Sequence, residues 1–112
     1  MIAKTEKEYQ GCLDFLKGKN CYVIDGTILF YIKRKDKIVC VAGFHKDFGG
    51  CIEPLESDDL LASYQLFYFM QGFITGQGYT SIRARTVSEK VKKVLLKSGF
   101  RIYTQNEFIK EL

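Results

Sequence analysis

Asp36-Lys37-Ile38-Val39-Cys40-Val41-Ala42-Gly43-Phe44-His45 is the stretch whose reading decides the fold. A charged pair opens it, and a nearly unbroken apolar run follows. Ile38–His45 therefore reads as a central strand covered on both faces. Upstream, Ile28–Arg34 is rich in β-branched and aromatic residues and reads as a second strand. Lys35-Asp36-Lys37 is the tight polar turn between the two. Further back, Asp25-Gly26 is a strong hairpin dipeptide, and it predicts a short strand over Cys21–Asp25. Downstream, Asp47-Phe48-Gly49-Gly50 predicts a turn, and Cys51–Leu55 a short strand closed by Pro54.

Helices bracket this β-rich region. Thr5 with Glu8 three residues later forms a capping-box pattern. Tyr9, Cys12, Leu13 and Leu16 then recur at helical spacing, which predicts a helix over 6–17 ending at Gly18. Ser57 is a second cap, with Asp58 and Asp59 in the first turn, where the helix dipole favours them. The helix from Asp58 to about Thr75 is the most apolar element, and it predicts burial on more than one side. Tyr79–Val87 reads as a strand. Ser88 caps a third helix with Val91, Val94 and Leu95 inward and a lysine-bearing outer face, stopped by Gly99. Phe100–Thr104 reads as a last strand and 106–112 as a short helix or coil.

The resulting order is α-β-β-β-β-α-β-α-β: an α/β (α+β) chain with an antiparallel run of strands, then two crossover helices and a mixed sheet. At 112 residues it is long enough for one domain, 1–112. The net charge of +4 is spread along the chain, unlike the concentrated basic patches of nucleic-acid proteins. Cys12, Cys21, Cys40 and Cys51 include no closely spaced pair, so no metal site is expected. They read as small buried hydrophobes. Met1–Gln10 is too polar for a signal peptide, and no stretch is apolar enough to span a membrane. The expected setting is cytoplasmic, or inside a host cell or virion, with the thiols reduced.

With this order, the chain resembles the acyl-CoA N-acyltransferase-like (GNAT) superfamily. Asp36–Phe44 resembles that family's second hairpin, and Leu95-Leu96-Lys97-Ser98-Gly99-Phe100 its fourth helix running into a Gly-Phe corner. In length and departures it is most similar to small members encoded by bacteriophages. The resemblance implies a GNAT-like mixed sheet and an acetyl-CoA site after the fourth strand. There an Arg/Gln-x-x-Gly-x-Gly/Ala pattern presents backbone N–H groups to a pyrophosphate at the main helix N-terminus. The matching positions here are Asp58-Asp59-Leu60-Leu61-Ala62-Ser63, preceded by Ser57, and no glycine lies between Gly50 and Gly72. Two unit charges about 4 Å apart in a partly wet site repel by about 4 kcal/mol. The dipole offers a surface anion only about 0.3–1 kcal/mol. The tyrosine that many members use as general acid corresponds to Leu95.

Three groups of residues carry chemistry. His45, the only histidine, suits a general base, as do Glu53 and Glu56 at the end of the fourth strand; each also reads as a solvated strand end. Arg83 and Arg85 alternate on one face of the fifth predicted strand and either bind an anionic partner or reach water. Tyr64 and Tyr68, on the over-apolar helix, read as core or as a surface for a protein partner or self-association. The departures imply a degenerate domain that binds or assembles, as a phage virion component or a host-protein inhibitor, with no cofactor. The alternative is an active N-acetyltransferase using acetyl-CoA on an amine. Nucleic-acid binding through Arg83, Arg85 and the lysine-bearing helix is a weaker third reading.

Overall fold

The computed structural model describes residues 1–46 and 50–112. The predicted turn at Asp47-Phe48-Gly49 lies outside the described residues. The elements are α1 (Glu6–Gly18), β1 (Ile28–Arg34), β2 (Lys37–His45), β3 (Cys51–Ser57), α2 (Leu60–Gly76), β4 (Ser81–Arg85), α3 (Glu89–Lys97), β5 (Arg101–Ile102) and β6 (Glu107–Glu111). The strands form one mixed sheet in the order β1-β2-β3-β4-β6-β5, in which only β3 and β4 run parallel.

The local signals act as the sequence predicts at three helix starts or turns. Thr5 Oγ1 accepts the N–H of Glu8, and Glu8 Oε1 accepts that of Thr5. Ser88 caps α3 by accepting the N–H of Val91. Lys35 and Asp36 both have positive φ (52° and 63°), as a tight hairpin turn matched to strand twist requires. The sheet then separates two apolar layers. Phe30, Phe44, Ile52 and Ile82 face α2 and α3, where Leu66, Phe67, Met70 and Leu95 complete the main core. Leu29, Tyr31 and Val41 face α1, where Cys12 and Leu16 pack. Cys12, Cys40 and Cys51 are buried, and burial pushes each thiol up to about 11, as inert core cysteines require. Cys21 is only half-buried.

Several elements differ from the sequence reading. Cys21–Asp25 is not a strand. One edge of β1 is taken by β2, and the other by Met1–Ala3, through Ala3 N–H to Leu29 O and Tyr31 N–H to Met1 O. Residues 21–24 therefore find no free strand edge on β1, and Cys21 and Val23 pack on the α1 side of the sheet. The tail is not a helix or coil: β6 pairs with both β4 and β5, and Phe108 enters the core opposite Ala84. Burial of one aromatic ring on a sheet face outweighs the weak helical preference of a short segment. β4 and β5 are shorter than predicted. Pro54 does not close β3, which continues to Ser57. Glu53 and Pro54 together oppose Gly43, a bulge that leaves the proline without a ladder bond to donate.

The main helix starts at Leu60 and not at Asp58, and its cap is Asp59 and not Ser57. It is covered on one side only. Leu66, Phe67, Met70 and Ile74 are buried, while Leu61 and Tyr68 stand in solvent.

α1 is tied to the sheet by one strong hydrogen bond. Tyr31 Oη donates to Glu8 Oε2 at 2.6 Å. That bond, with the N–H groups of Thr5 and Lys4, holds the Glu8 carboxyl down at about 2. The folded value is depressed, so this contribution is fully present above the ordinary 4.5 and is lost as pH falls toward 2. Acid titration by circular dichroism should show stability falling across that window. Glu8→Gln should flatten that part of the curve; an unchanged curve would remove this contact from the account.

Candidate functional site

β3 and β4 pair only through Cys51 with Arg83 and Ile52 with Ala84. Beyond these pairs both strands continue without bonding to each other. A crevice of about 530 Å³ opens between their carboxyl ends, on the α1 side of the sheet. This is where open α/β sheets generally take ligands. The bulge at Glu53-Pro54 turns Glu53, Pro54 and Glu56 toward it, and residues 21–24 form its opposite wall.

The crevice gathers five of the sequence-predicted residues: His45, Glu53, Glu56, Arg83 and Arg85. His45 is not a solvated strand end. Its side chain is only 13% exposed, and Nε2 lies 3.7 Å from Glu53 Oε1. Among the described residues, its buried Nδ1 has no hydrogen-bond partner. Burial raises the Glu56 carboxyl above its ordinary value, against the opposing pull of Lys19. The partly desolvated Glu56 carboxylate can accept a proton, and the His45 imidazole lies beside the Glu53 carboxylate. Arg85 is bound to Glu107, and the Arg83 guanidinium lies 5.4 Å from the centre of the Tyr103 ring. These arginines are thus half-exposed and engaged on an incompletely covered face.

Sequence reasoning missed Tyr22, Ile24 and Val87, which are 76%, 55% and 80% exposed and rim the crevice with apolar surface. It also missed Glu107 as the counter-charge. No local pattern marks these positions, because each is brought in by chain far away in sequence.

Ser57, Asp58, Asp59, Leu60 and Leu61 lie at the start of α2. Here the structure revises the electrostatic argument. Asp58 pairs with Lys19, and Asp59 Oδ2 lies 3.6 Å from Arg34 Nε, so the two carboxylates are counter-charged. Hydrogen bonding within the chain already engages several of the N–H groups at this position. Asp58 N–H donates to Val39 O, Asp59 N–H to Ser57 Oγ and Ser63 N–H to Asp59 O. Ala62 N–H donates to Asp59 Oδ1. The chain's own carboxylate thus occupies the anion position of the helix N-terminus. Leu95, where a general-acid tyrosine would stand, is 1% exposed and belongs to the core. The residues present do not fit an acetyl-CoA held in the family's manner. Tyr64 and Tyr68 lie on α2, across the sheet from the crevice. Among the described residues, no three His, Cys, Asp or Glu side chains converge as a metal site, and no helix is long and apolar enough to cross a membrane.

No protein-family model and no curated protein sequence matches this chain. Its structure is similar to that of an N-acetyltransferase from Staphylococcus aureus Mu50, with TM-score 0.77 at 11% identity over 99% of this chain and 95% of that one. An acetyltransferase of the GNAT family from the same organism gives TM-score 0.76 at 13% identity, over 99% and 97% of the two chains. An acetyltransferase from Bacillus cereus ATCC 14579 gives 0.65 at 19% identity, over 97% and 94%. At such low identity the likeness speaks to fold alone, and nothing in it bears on a phage origin. The fold of this chain is the GNAT fold.

Proposed function

We propose that this chain is a GNAT-fold binding module that has given up the family's acyl-CoA site and takes a ligand in the crevice between β3 and β4. The carrying observation is the hydrogen bond from Ala62 N–H to Asp59 Oδ1 at 3.1 Å. It fills the anion position at the start of α2 with an internal carboxylate. The crevice chemistry suits a ligand with a cationic group and an apolar body. Glu53 and Glu56 offer carboxylates, and Tyr22, Ile24 and Val87 offer apolar surface at the rim.

Calorimetry with acetyl-CoA tests the reading. Purified protein should show no binding at about 1 mM and no rise in melting temperature. A ligand present at 100 times its dissociation constant would stabilise the protein by about 2.7 kcal/mol, which a thermal shift reports readily. Micromolar binding would sink the proposal.

The proton acceptors of the crevice favour a second reading, an active N-acyltransferase. The His45–Glu53 pair and the raised Glu56 are groups able to take a proton from an amine. In that case the acyl donor is held away from the helix terminus. Turnover of an amine by the wild type, lost in Glu53→Gln, would support it. Inactivity of the wild type across a broad amine panel would end it.

A further inference from the structure

Helix α2, Leu60–Gly76, contains no Asp, Glu, Lys or Arg, in a chain whose residues are 27% charged. Its inner side packs on the sheet. Its outer side carries Leu61, Gln65, Tyr68, Gly72 and Thr75, all exposed, with Leu61 at 62% and Tyr68 at 83%. These positions are spaced four, three, four and three residues apart, the spacing of a seam along which one helix packs on another. A solvated helix face ordinarily carries charge. Gly72 adds a second anomaly. Glycine inside a helix lowers its stability, yet nothing lies within 4 Å of where a Cβ at Gly72 would stand. No contact within the described chain explains the glycine.

We propose that this face joins two copies of the chain, α2 against α2, antiparallel about a two-fold axis level with residue 70. Each facing pair of positions then sums to 140. Tyr68 of one copy lies level with Gly72 of the other, a large ring against a gap, and Gln65 lies level with Thr75. The face is thereby self-complementary, as a two-fold contact must be.

The charges favour this occupant and this direction. A two-fold axis brings each face against itself. The lysine-bearing face of α3 would therefore oppose like charges, whereas the α2 face opposes none. Arg34 stands near the start of α2, donating to Gln65 Oε1 and 3.6 Å from Asp59. The last turn of α2 has no basic residue to offset its partial negative charge. Antiparallel pairing brings each Arg34 toward the uncompensated end of the other helix. A helix of 17 residues is about 25 Å long, so the contact sits at the low end of interface sizes and the dimer dissociates on dilution.

The proposal is independent of what the crevice binds. Sedimentation equilibrium of the full chain from about 10 μM to about 1 mM tests it. A reversible monomer–dimer equilibrium is expected, weakened at least tenfold in Tyr68→Lys. Because Tyr68 is exposed, the melting temperature of that variant at low concentration should match the wild type. The double variant Gln65→Cys/Thr75→Cys should form a covalent dimer on mild oxidation that the wild type does not form. A wild type monomeric at about 1 mM overturns the proposal and leaves the face to a different protein. A dimer that Tyr68→Lys leaves unchanged, or an uncrosslinked double variant, overturns it equally.

Discussion

Gly43→Ala should destabilise the protein by about 3 kcal/mol and lower its melting temperature by roughly 10 °C. A Cβ at this position would stand 2.7 Å from Thr27 Cγ2, 2.8 Å from the Glu53 carbonyl oxygen and 3.2 Å from Pro54 Cδ. None of the three can yield cheaply. Thr27 is 4% exposed and its hydroxyl donates to Ile24 O at 2.8 Å. The Glu53 oxygen is backbone, and Pro54 is a ring within the bulge. To admit the methyl, β3 must move off β2 where Glu53 and Pro54 oppose Gly43. The same movement would carry Glu53 away from His45, so the variant tests the crevice as well as the fold. Thermal unfolding measured beside the wild type decides it. A melting temperature within a degree or two of wild type would mean that the bulge does not press on Gly43 as described.

Phe67→Ala should cost still more, about 3–5 kcal/mol. Phe67 is 1% exposed, and its ring centre lies 5.9 Å from that of Phe100. It fastens α2 to the corner where α3 turns into β5, on the face of the sheet that holds the main core. Removing the ring deletes apolar burial and leaves a cavity that α2, anchored along the sheet by Leu66, Met70 and Ile74, cannot close. Domains of this size have about 5–15 kcal/mol in total, so the variant should sit near its unfolding threshold. Tyr68→Ala is the internal control. It is the next residue but points outward at 83% exposure, and it should change monomer stability by no more than about 0.5 kcal/mol. Urea titration of both variants at low protein concentration measures the contrast. Equal effects would contradict the one-sided burial of α2.

Much of this was legible in the sequence, and for one reason. The Thr5–Glu8 box, the Lys35-Asp36 turn, the Ser88 cap and the apolar runs of β1, β2 and α2 act within a few residues of themselves. Propensity, capping and periodicity are local, so the three helices and the five strands from Ile28 to Ile102, and with them the fold class, could be read along the chain. The errors fell where a segment's state depends on what lies beside it. Residues 21–24 have a strand-like composition but find the outer edge of β1 taken by Met1–Ala3. The tail reads locally as helix or coil but meets the open flank of β4 and becomes a strand there.

The site divides in the same way. The sequence by itself determined that glycine is missing from the start of α2 and that two aspartates stand there. It also placed His45, Glu53 and Glu56 near strand ends and Arg83 and Arg85 on one face of a strand. Only the tertiary structure decided what these residues do to one another. It set Lys19 and Arg34 against the aspartates and drew His45 to Glu53. It also left the uncharged face of α2 uncovered. These ion pairs and the crevice join residues of different elements. They arise from the packing of elements, which no local pattern of residues encodes.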